Sequence, residues 1–206
     1  IESFSKDCLL MNPKTDKVLV VAPRIWKSDK NYNYSIEEIS LLINTLGLKV
    51  CGVIEQKLNS INPAYFVGSG KAKQIVEQAK LLKANYIVFD EDLSPAQTKN
   101  LQKLDEKMKF IDRSGIILEI FFKNAKSKES KTQVELARLQ YQLPRLTRMW
   151  THLERQMGGF GTRAGAGETQ IEVDRRILRK RISNLKKKLK SIDSERRVQS
   201  KKRQSF

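Results

Sequence analysis

The sequence predicts an α/β protein: a small, four-stranded, mainly parallel sheet with flanking helices, followed by a long antiparallel α-helical hairpin (a coiled coil). Up to about residue 122, short apolar β-rich runs alternate with amphipathic segments, as in a parallel sheet with right-handed crossovers. The remaining residues carry no strand signal and consist of long basic segments of helical composition around a glycine-rich stretch. We therefore expect two domains, residues 1–125 and residues 126–206.

The four strands are predicted from short runs that are rich in β-branched and aromatic residues. Each run is followed by a segment with turn or helix signals, which is the spacing of β–α units rather than of hairpins. The four runs are KVLVVAP (17–23), LKVCGVIEQ (48–56), YIVFD (86–90) and MKFID (108–112).

The helices of the first domain are predicted from their start signals and their apolar faces. Ser35 with Glu38, and Ser94 with Gln97, each fit a capping box, in which two side chains satisfy free backbone N–H groups at a helix start. Pro95 suits the first helical position. The predicted helices are residues 35–47, residues 71–83, a segment after Ser94 that buries Leu101 and Leu104, and residues 114–125.

The second domain is predicted to be two helices joined by a tip loop, residues 157–170. The second helix has no glycine after Gly167, and its apolar residues recur at spacings of 7, 4, 3, 4 and 3, which is a heptad seam with Arg175 at one missing position. Pro144 is expected to kink or break the first helix because it lacks an N–H. A homodimeric coiled coil is the alternative arrangement. The seam residues are Ile171, Leu178, Ile182, Leu185, Leu189 and Ile192.

The positive charge is concentrated in the second domain. The chain has a formal net charge of +17; residues 1–122 carry 17 Lys and Arg against 15 Asp and Glu, and residues 123–206 carry 23 against 8. Such a basic block indicates a polyanionic partner, either nucleic acid or an anionic membrane surface. A solvated lysine-rich coat is the alternative interpretation.

Several classes of function are excluded by composition. Two cysteines, Cys8 and Cys51, and a single histidine, His152, cannot make a zinc site or a disulfide framework, and we predict no metal site and no catalytic residue. No apolar run approaches the roughly 18 residues of a membrane span, so we expect a cytoplasmic protein without membrane contact. The DRSG sequence at 112–115 fits the D-x-x-G pattern of GTPases, but N-K-x-D is absent and we interpret DRSG as a helix-entry turn.

The VGSGKA stretch resembles a phosphate-binding loop but fails its pattern twice. In G-x-x-x-x-G-K-[ST], position 65 would be glycine and position 72 Ser or Thr, and this chain has Tyr65 and Ala72. A strand-to-helix turn is the favoured interpretation. An anion or nucleotide site at the following helix N-terminus, formed by Gly68, Gly70 and Lys71, is the alternative.

The glycine-rich tip loop has the composition of an RNA contact. Its glycines remove side-chain bulk, so the backbone can approach phosphates or base edges. Phe160 and Arg163 can stack on unpaired bases, and the flanking cations, Arg181 included, can neutralise phosphates. The predicted RNA-binding residues are Gly158, Gly159, Phe160, Gly161, Thr162, Arg163, Gly165, Gly167, Glu168 and Thr169 in the loop, and Arg148, Arg155, Arg175, Arg176, Arg179 and Lys180 on its flanks.

Several longer segments resemble one protein family. They are YFVGSGKA (65–72), VFDEDLSPAQTKNLQK (88–103), IDRSGIILEIF (111–121), KTQVELARLQYQLPRL (131–146), WTHLERQ (150–156) and GETQIEVDRR (167–176). Over essentially the whole chain, the sequence is similar to the N-terminal region of the HflX family of translational GTPases. The family's tip pattern is close to GGxGxRGPGETQ; this chain has one residue more, and alanine where the proline would stand.

The resemblance implies a function that composition alone does not give. Members of this family bind the large ribosomal subunit with the hairpin, place the tip at the peptidyl-transferase centre, and use GTP to split stalled ribosomes, as in the response to heat stress. The resemblance also implies that a GTPase domain, with GTP and Mg²⁺, follows residue 206, so this chain has no enzymatic activity or cofactor of its own. The implied partners are large-subunit rRNA and the protein's own GTPase domain, and we expect a monomer. A nucleotide-binding α/β module, with which ATP binding has been associated in the family, and a basic coiled-coil scaffold are the alternatives.

Overall fold

The computed structural model describes residues 15–25, 32–146 and 166–204. The chain divides into two compact units, Ile1–Lys123 and Asn124–Phe206. The division falls two residues before the boundary predicted from composition.

The first unit contains the predicted four-stranded parallel sheet, which is confirmed. Its strands are β1 (Lys17–Ile25), β2 (Lys49–Leu58), β3 (Tyr86–Phe89) and β4 (Lys109–Asp112), in the spatial order β2-β1-β3-β4. Every pair of neighbours is parallel. The chain passes from β1 to β2 on one side of β1, and then crosses back to β3 and β4 on the other side. The connections therefore change direction between β1 and β3, which is a topological switch point.

In the described part of this unit, four helices cover the two faces of the sheet: α1 (Tyr32–Thr45), α2 (Ser69–Leu81), α3 (Pro95–Gln102) and α4 (Arg113–Asn124). Successive residues of a strand point to opposite faces, so the strands build two apolar cores. One core joins Leu19 and Val21 of β1 to residues of α2 and α3. The other joins Val18 and Val20 to residues of α1 and α4. The sheet is therefore buried on both faces, as its near-continuous apolar strands require.

The capping box at the start of α3 is confirmed. The Gln97 backbone N–H donates to Ser94 Oγ at 3.2 Å, and the Ser94 N–H donates to Gln97 Oε1 at 2.8 Å. The helix-entry interpretation of DRSG is also confirmed, because Asp112 Oδ1 accepts from the Gly115 N–H at 2.8 Å at the first turn of α4. Asp112 is buried, and its other oxygen accepts from the Leu93 N–H at 3.3 Å. Both side-chain oxygens of Asp112 therefore stabilise the fold by accepting from backbone N–H groups.

The capping box predicted for Ser35 and Glu38 is wrong. Helix α1 begins at Tyr32, so Ser35 lies inside the helix. Its hydroxyl donates to the Asp90 side chain, and Glu38 forms an ion pair with Arg113. Both side chains therefore bind residues far along the chain, Asp90 and Arg113, instead of backbone N–H groups at a helix start.

Within residues 124–146 and 166–204, the second unit has two helices, α5 (Lys128–Gln142) and α6 (Ala166–Gln204), and a 3₁₀ turn over Leu143–Arg145. Helix α5 ends one residue before this turn, which contains Pro144, as predicted from the missing N–H. At 1.5 Å per residue, the 39 residues of α6 extend over roughly 58 Å. No helix among the described residues combines the length and the apolar character needed to cross a bilayer.

Candidate nucleic-acid interface

A leucine cluster holds α5 and α6 together. Leu139 and Leu146, from α5 and the residue after the 3₁₀ turn, are buried with Leu178 and Leu185 of α6. Ile182 is partly buried against the same cluster. Since Leu178, Ile182 and Leu185 belong to the predicted heptad seam, the seam marks the face of α6 that contacts α5.

Truncation of this seam is expected to destabilise the second unit. Leu178 is 5% exposed, so Leu178→Ala removes buried methyl groups and leaves a cavity, at a cost of about 2–4 kcal/mol. Ile177, the preceding residue, is 52% exposed, and Ile177→Ala should change the free energy of unfolding by less than about 0.5 kcal/mol. Urea unfolding followed by circular dichroism measures both, and equal effects would contradict the assigned face.

Two ion pairs connect the helices at the edge of the seam. Arg181 pairs with Glu135, and its Nε donates to Glu135 Oε1 at 2.9 Å. Arg196 pairs with Glu129. The residue that comes later in α6 pairs with the residue that comes earlier in α5, so the two sequences pair in opposite order. Arg181 was predicted as a phosphate contact, and the structure instead commits it to the contact between the helices.

The face of α6 opposite the leucines is strongly basic. We define the outer face of α6 as Arg176, Arg179, Lys180, Lys187 and Lys190, all exposed. At 3.6 residues per turn these positions lie together, about half a turn away from Leu178 and Leu185. No ion pair involves any of them within the described part of the chain. Their charge is therefore presented to solvent.

The start of α6 carries a buried carboxylate next to the cation at the missing seam position. Asp174 is 5% exposed, and its Oδ2 has no hydrogen-bond partner among the described residues. Burial raises the pKa of this carboxyl group. Arg175 is half-buried. Polar side chains thus interrupt the seam here, whereas leucine and isoleucine continue it from Leu178 onward.

Most of the predicted tip lies outside the described residues. Helix α6 begins at Ala166, so the loop predicted to reach residue 170 ends earlier than expected. Its last five residues have helical backbone, and three of these were predicted RNA contacts. Ala166 and Gln170 are good helix formers, and Glu168 is favoured near a helix N-terminus by the helix dipole. The helical three are Gly167, Glu168 and Thr169; outside the described residues lie Arg148, Arg155, Gly158, Gly159, Phe160, Gly161, Thr162, Arg163 and Gly165.

The turn before α2 departs from a phosphate-binding loop for a structural reason. Gly68 precedes α2 without a side-chain cap, and Gly70 and Lys71 lie in the first turn of the helix. A Cβ at Gly68 or Gly70 would meet no other atom within 4 Å, so packing does not require glycine there. The position where the loop pattern needs Ser or Thr is Ala72, which is wholly buried in the core. A hydroxyl at that position would face apolar side chains rather than a bound cation.

The structure reveals a polar cluster that sequence reasoning missed. It lies at the carboxyl ends of the strands, beside the switch point. Asp90, just after β3, accepts from Ser35 Oγ at 2.5 Å and from Arg113 Nη1 at 2.8 Å. The same guanidinium pairs with Glu38 of α1. The local pattern presents Ser35 and Glu38 as a capping box, and nothing in it connects them with Asp90 and Arg113. Only the fold brings these four residues together.

The electrostatics of this cluster are those of a buried carboxylate held by a cation. The Asp90 side chain is 4% exposed, and burial raises its pKa, although Ser35 and Arg113 act in the opposite direction. Burial disfavours the charged form of Arg113, but its bonds to Glu38 and Asp90 outweigh this effect and raise its pKa. The cluster therefore connects α1, β3 and α4. No group of side chains suited to hold a metal ion occurs among the described residues.

Two family models match the chain in succession. One, described as GTP-binding GTPase N-terminal, matches residues 33–122, and the other, described as GTP-binding GTPase middle region, matches residues 124–203. The boundary between them coincides with the division between the two structural units.

Curated relatives agree with these matches. GTPase HflX of Escherichia coli strain K12 is 46% identical over 161 residues, which cover 78% of this chain and 37% of that relative. GTPase HflX of Flavobacterium psychrophilum is 44% identical over 173 residues, which cover 84% of this chain and 41% of that relative. The chain thus spans about two fifths of the length of these relatives.

A solved structure shares the fold. The complex of SsGBP with GDP superposes with a TM-score of 0.63 at 23% identity, over 89% of this chain and 46% of that one. At this identity the likeness shows the fold alone. The two matched family models and the curated relatives lead to one assignment: the chain belongs to the HflX family of GTPases and corresponds to the N-terminal and middle regions of its members.

Proposed function

We propose that this chain is the ribosome-binding part of an HflX-type GTPase. In this proposal the second unit binds large-subunit rRNA, and the glycine-rich segment reaches the peptidyl-transferase centre. The complete protein then uses GTP to split or rescue stalled ribosomes, as in a stress response in the cytoplasm. GTP and Mg²⁺ would be bound by the part of the protein that this chain does not span.

The observation that carries the proposal is the outer face of α6. Five exposed cations without ion pairs in the described residues form a stripe on one face of a long helix. A stripe of this kind neutralises phosphates along a nucleic-acid backbone and gains free energy from counterion release. The leucine seam on the opposite face keeps α6 against α5, so the cations are held on a stiff support.

The order of the contacts between α5 and α6 supports the geometry that this function needs. We propose that the two helices are the arms of an antiparallel coiled-coil hairpin, because Glu129 contacts the later Arg196 and Glu135 contacts the earlier Arg181. The sequence between the arms contains the glycines, Phe160 and Arg163. In the proposal this segment makes the close contacts with RNA bases, and the arms supply the reach and the phosphate contacts.

Sedimentation tests the proposal. The chain is mixed with purified large or small ribosomal subunits and centrifuged at salt concentrations from about 50 to 300 mM. We expect it to sediment with the large subunit, and the logarithm of the association constant to fall linearly with the logarithm of salt concentration. No binding at the lowest salt, or equal binding to both subunits, would contradict the proposal.

A further inference from the structure

The amino edge of the sheet, where the parallel strands begin, carries a second basic surface. Three of the four strands begin with lysine: Lys17, Lys49 and Lys109. Lys17 is paired in register with Lys49, and Tyr86, which pairs with Val18, also pairs with Lys109. The sheet order therefore places the three lysines at one edge, although they are far apart in sequence. The first unit is nearly neutral overall, so this concentration is local.

A cavity of about 430 Å³ opens at this edge. Lys80, Lys107 and Lys109 line it together with Asp16 and Asp105. The cavity is separate from the Asp90 cluster, which lies at the opposite, carboxyl edge of the sheet.

The two carboxylates of the cavity already have partners. Asp105 Oδ1 accepts from the N–H groups of Lys107 and Met108 at 2.8 and 3.1 Å, and its Oδ2 pairs with Lys80 Nζ at 2.7 Å. The bond from Lys80 is the main reason that the pKa of Asp105 is lowered. Asp16 is hydrogen-bonded to the Tyr86 hydroxyl, whose pKa is raised by burial and by this aspartate. Lys80 therefore offsets the charge of Asp105, whereas Asp16 keeps its negative charge because its partner is a neutral hydroxyl. The three lysines that line the cavity outnumber its two carboxylates.

Lys107 and Lys109 are the cations that remain. Both are exposed, and neither forms an ion pair within the described part of the chain. Lys109 Nζ lies 5.3 Å from the centre of the Tyr86 ring, a cation–π contact that leaves its N–H donors available. The helix dipole explains a lysine such as Lys80 in the last turn of α2, but Lys107 lies in a loop and Lys109 begins a strand. Neither an ion pair nor a helix dipole therefore accounts for these two lysines.

We propose that this surface, formed by Lys107 and Lys109 with Lys17 and Lys49, binds backbone phosphates of RNA. An open cavity with exposed lysines on flexible stems suits phosphates that approach along a polymer. A small phosphorylated molecule would instead need an enclosed pocket with a few fixed donors. The inference rests on the proposed function, because it makes the first unit a second contact to the RNA that the second unit binds. Two linked contacts raise the overall affinity through effective concentration.

A matched pair of charge reversals tests the inference on the full chain. The double variant Lys107→Glu/Lys109→Glu is compared with Lys57→Glu/Lys73→Glu, which changes the net charge equally at exposed lysines elsewhere in the same unit. We expect the first variant to bind large subunits at least about tenfold more weakly near 0.15 M salt, with a log–log salt slope reduced by about 2. The second variant should bind within about threefold of the unaltered chain, and circular dichroism should show that both variants are folded.

The possible outcomes separate the inference from the proposed function. Equal losses in the two variants would show a general charge effect and overturn the inference, while wild-type binding would leave the proposed function intact. Absence of wild-type binding would overturn both. A titration of the chain with inorganic phosphate and with ribose 5-phosphate, followed by NMR, tests whether the cavity binds a small phosphorylated molecule instead of RNA. Saturable binding that Lys107→Glu/Lys109→Glu abolishes, without any loss of subunit binding, would reassign the cavity to a small ligand and overturn the inference.

Discussion

Reversing three cations on the outer face of α6 is expected to weaken binding to the large ribosomal subunit by at least about 100-fold near 0.15 M salt. The variant is Arg176→Glu/Arg179→Glu/Lys180→Glu. Each cation that contacts a phosphate adds about one to the log–log salt slope, so the slope should fall by about 3. The three side chains are exposed and lie away from the leucine seam, so the α5–α6 pair should stay folded. Sedimentation over a salt series measures both quantities.

The control has the same net charge on a different surface. Lys57→Glu/Lys73→Glu/Lys126→Glu reverses three exposed lysines that are not part of α6. It should bind within about fivefold of the unaltered chain, because only long-range, screened repulsion is added. If the two triple variants lose affinity equally, the outer face of α6 is not a specific contact.

Arg113→Ala is expected to destabilise the first unit strongly, by about 3–5 kcal/mol. It removes the cation that holds Asp90, whose side chain is 4% exposed and has no room for a full hydration shell. Glu38, the other partner of Arg113, is 59% exposed. Glu38→Gln should therefore cost less than about 1 kcal/mol. Urea unfolding followed by circular dichroism compares the two variants.

The pH dependence of Arg113→Ala gives the same prediction a second readout. The pKa of folded Asp90 lies above its ordinary value of 3.8, so between these two values the folded state binds more protons than the unfolded state. The contribution of Asp90 to stability is thus fully present below about pH 3.8 and is lost as pH rises through the folded pKa. Without Arg113 the folded pKa rises further, so the loss between about pH 4 and pH 7 should be larger in Arg113→Ala than in the unaltered chain.

The double variant Asp90→Asn/Arg113→Ala is the control for the pH effect. It has no carboxylate to titrate at this position, so the extra loss with rising pH should disappear. A pH profile of Arg113→Ala parallel to that of the double variant would show that Arg113 stabilises the fold by packing rather than by holding a charge.

The strands and helices of the first unit follow from local signals. KVLVVAP and YIVFD are apolar on both faces because both faces of a parallel sheet are buried. A short apolar run of this kind can be recognised as a strand from the sequence alone. Ser94 and Gln97 form the capping box that the local pattern predicts, and the bond from Gln97 Nε2 to the Asn62 carbonyl oxygen leaves Gln97 Oε1 available for it. At Ser35, the same kind of pattern failed because Asp90 and Arg113, 55 and 78 residues further along the chain, offered stronger, charged partners.

The candidate sites of the first unit were harder to predict from the sequence because they depend on which strands are neighbours in the sheet. Lys17, Lys49 and Lys109 are unremarkable separately, and only the order β2-β1-β3-β4 places them at one edge. On α6, the heptad seam predicted which leucines are buried. The outer face is the side of the helix opposite that seam, so its position follows from the same periodicity. The pairing of Arg181 with Glu135 required knowledge of how α5 lies against α6. Periodicity therefore identifies faces of helices, whereas specific ion pairs depend on tertiary register.

Chemical probing of large-subunit rRNA in the presence of the chain tests the central claim most directly. The unaltered chain should protect nucleotides of the peptidyl-transferase centre from reagents that modify unpaired bases. Replacing Gly158, Gly159 and Gly161 with leucine should remove those protections, while the variant remains folded and retains part of its affinity through the cations of α6. Binding without any protection at the peptidyl-transferase centre, or protections that persist unchanged in the leucine variant, would contradict the account.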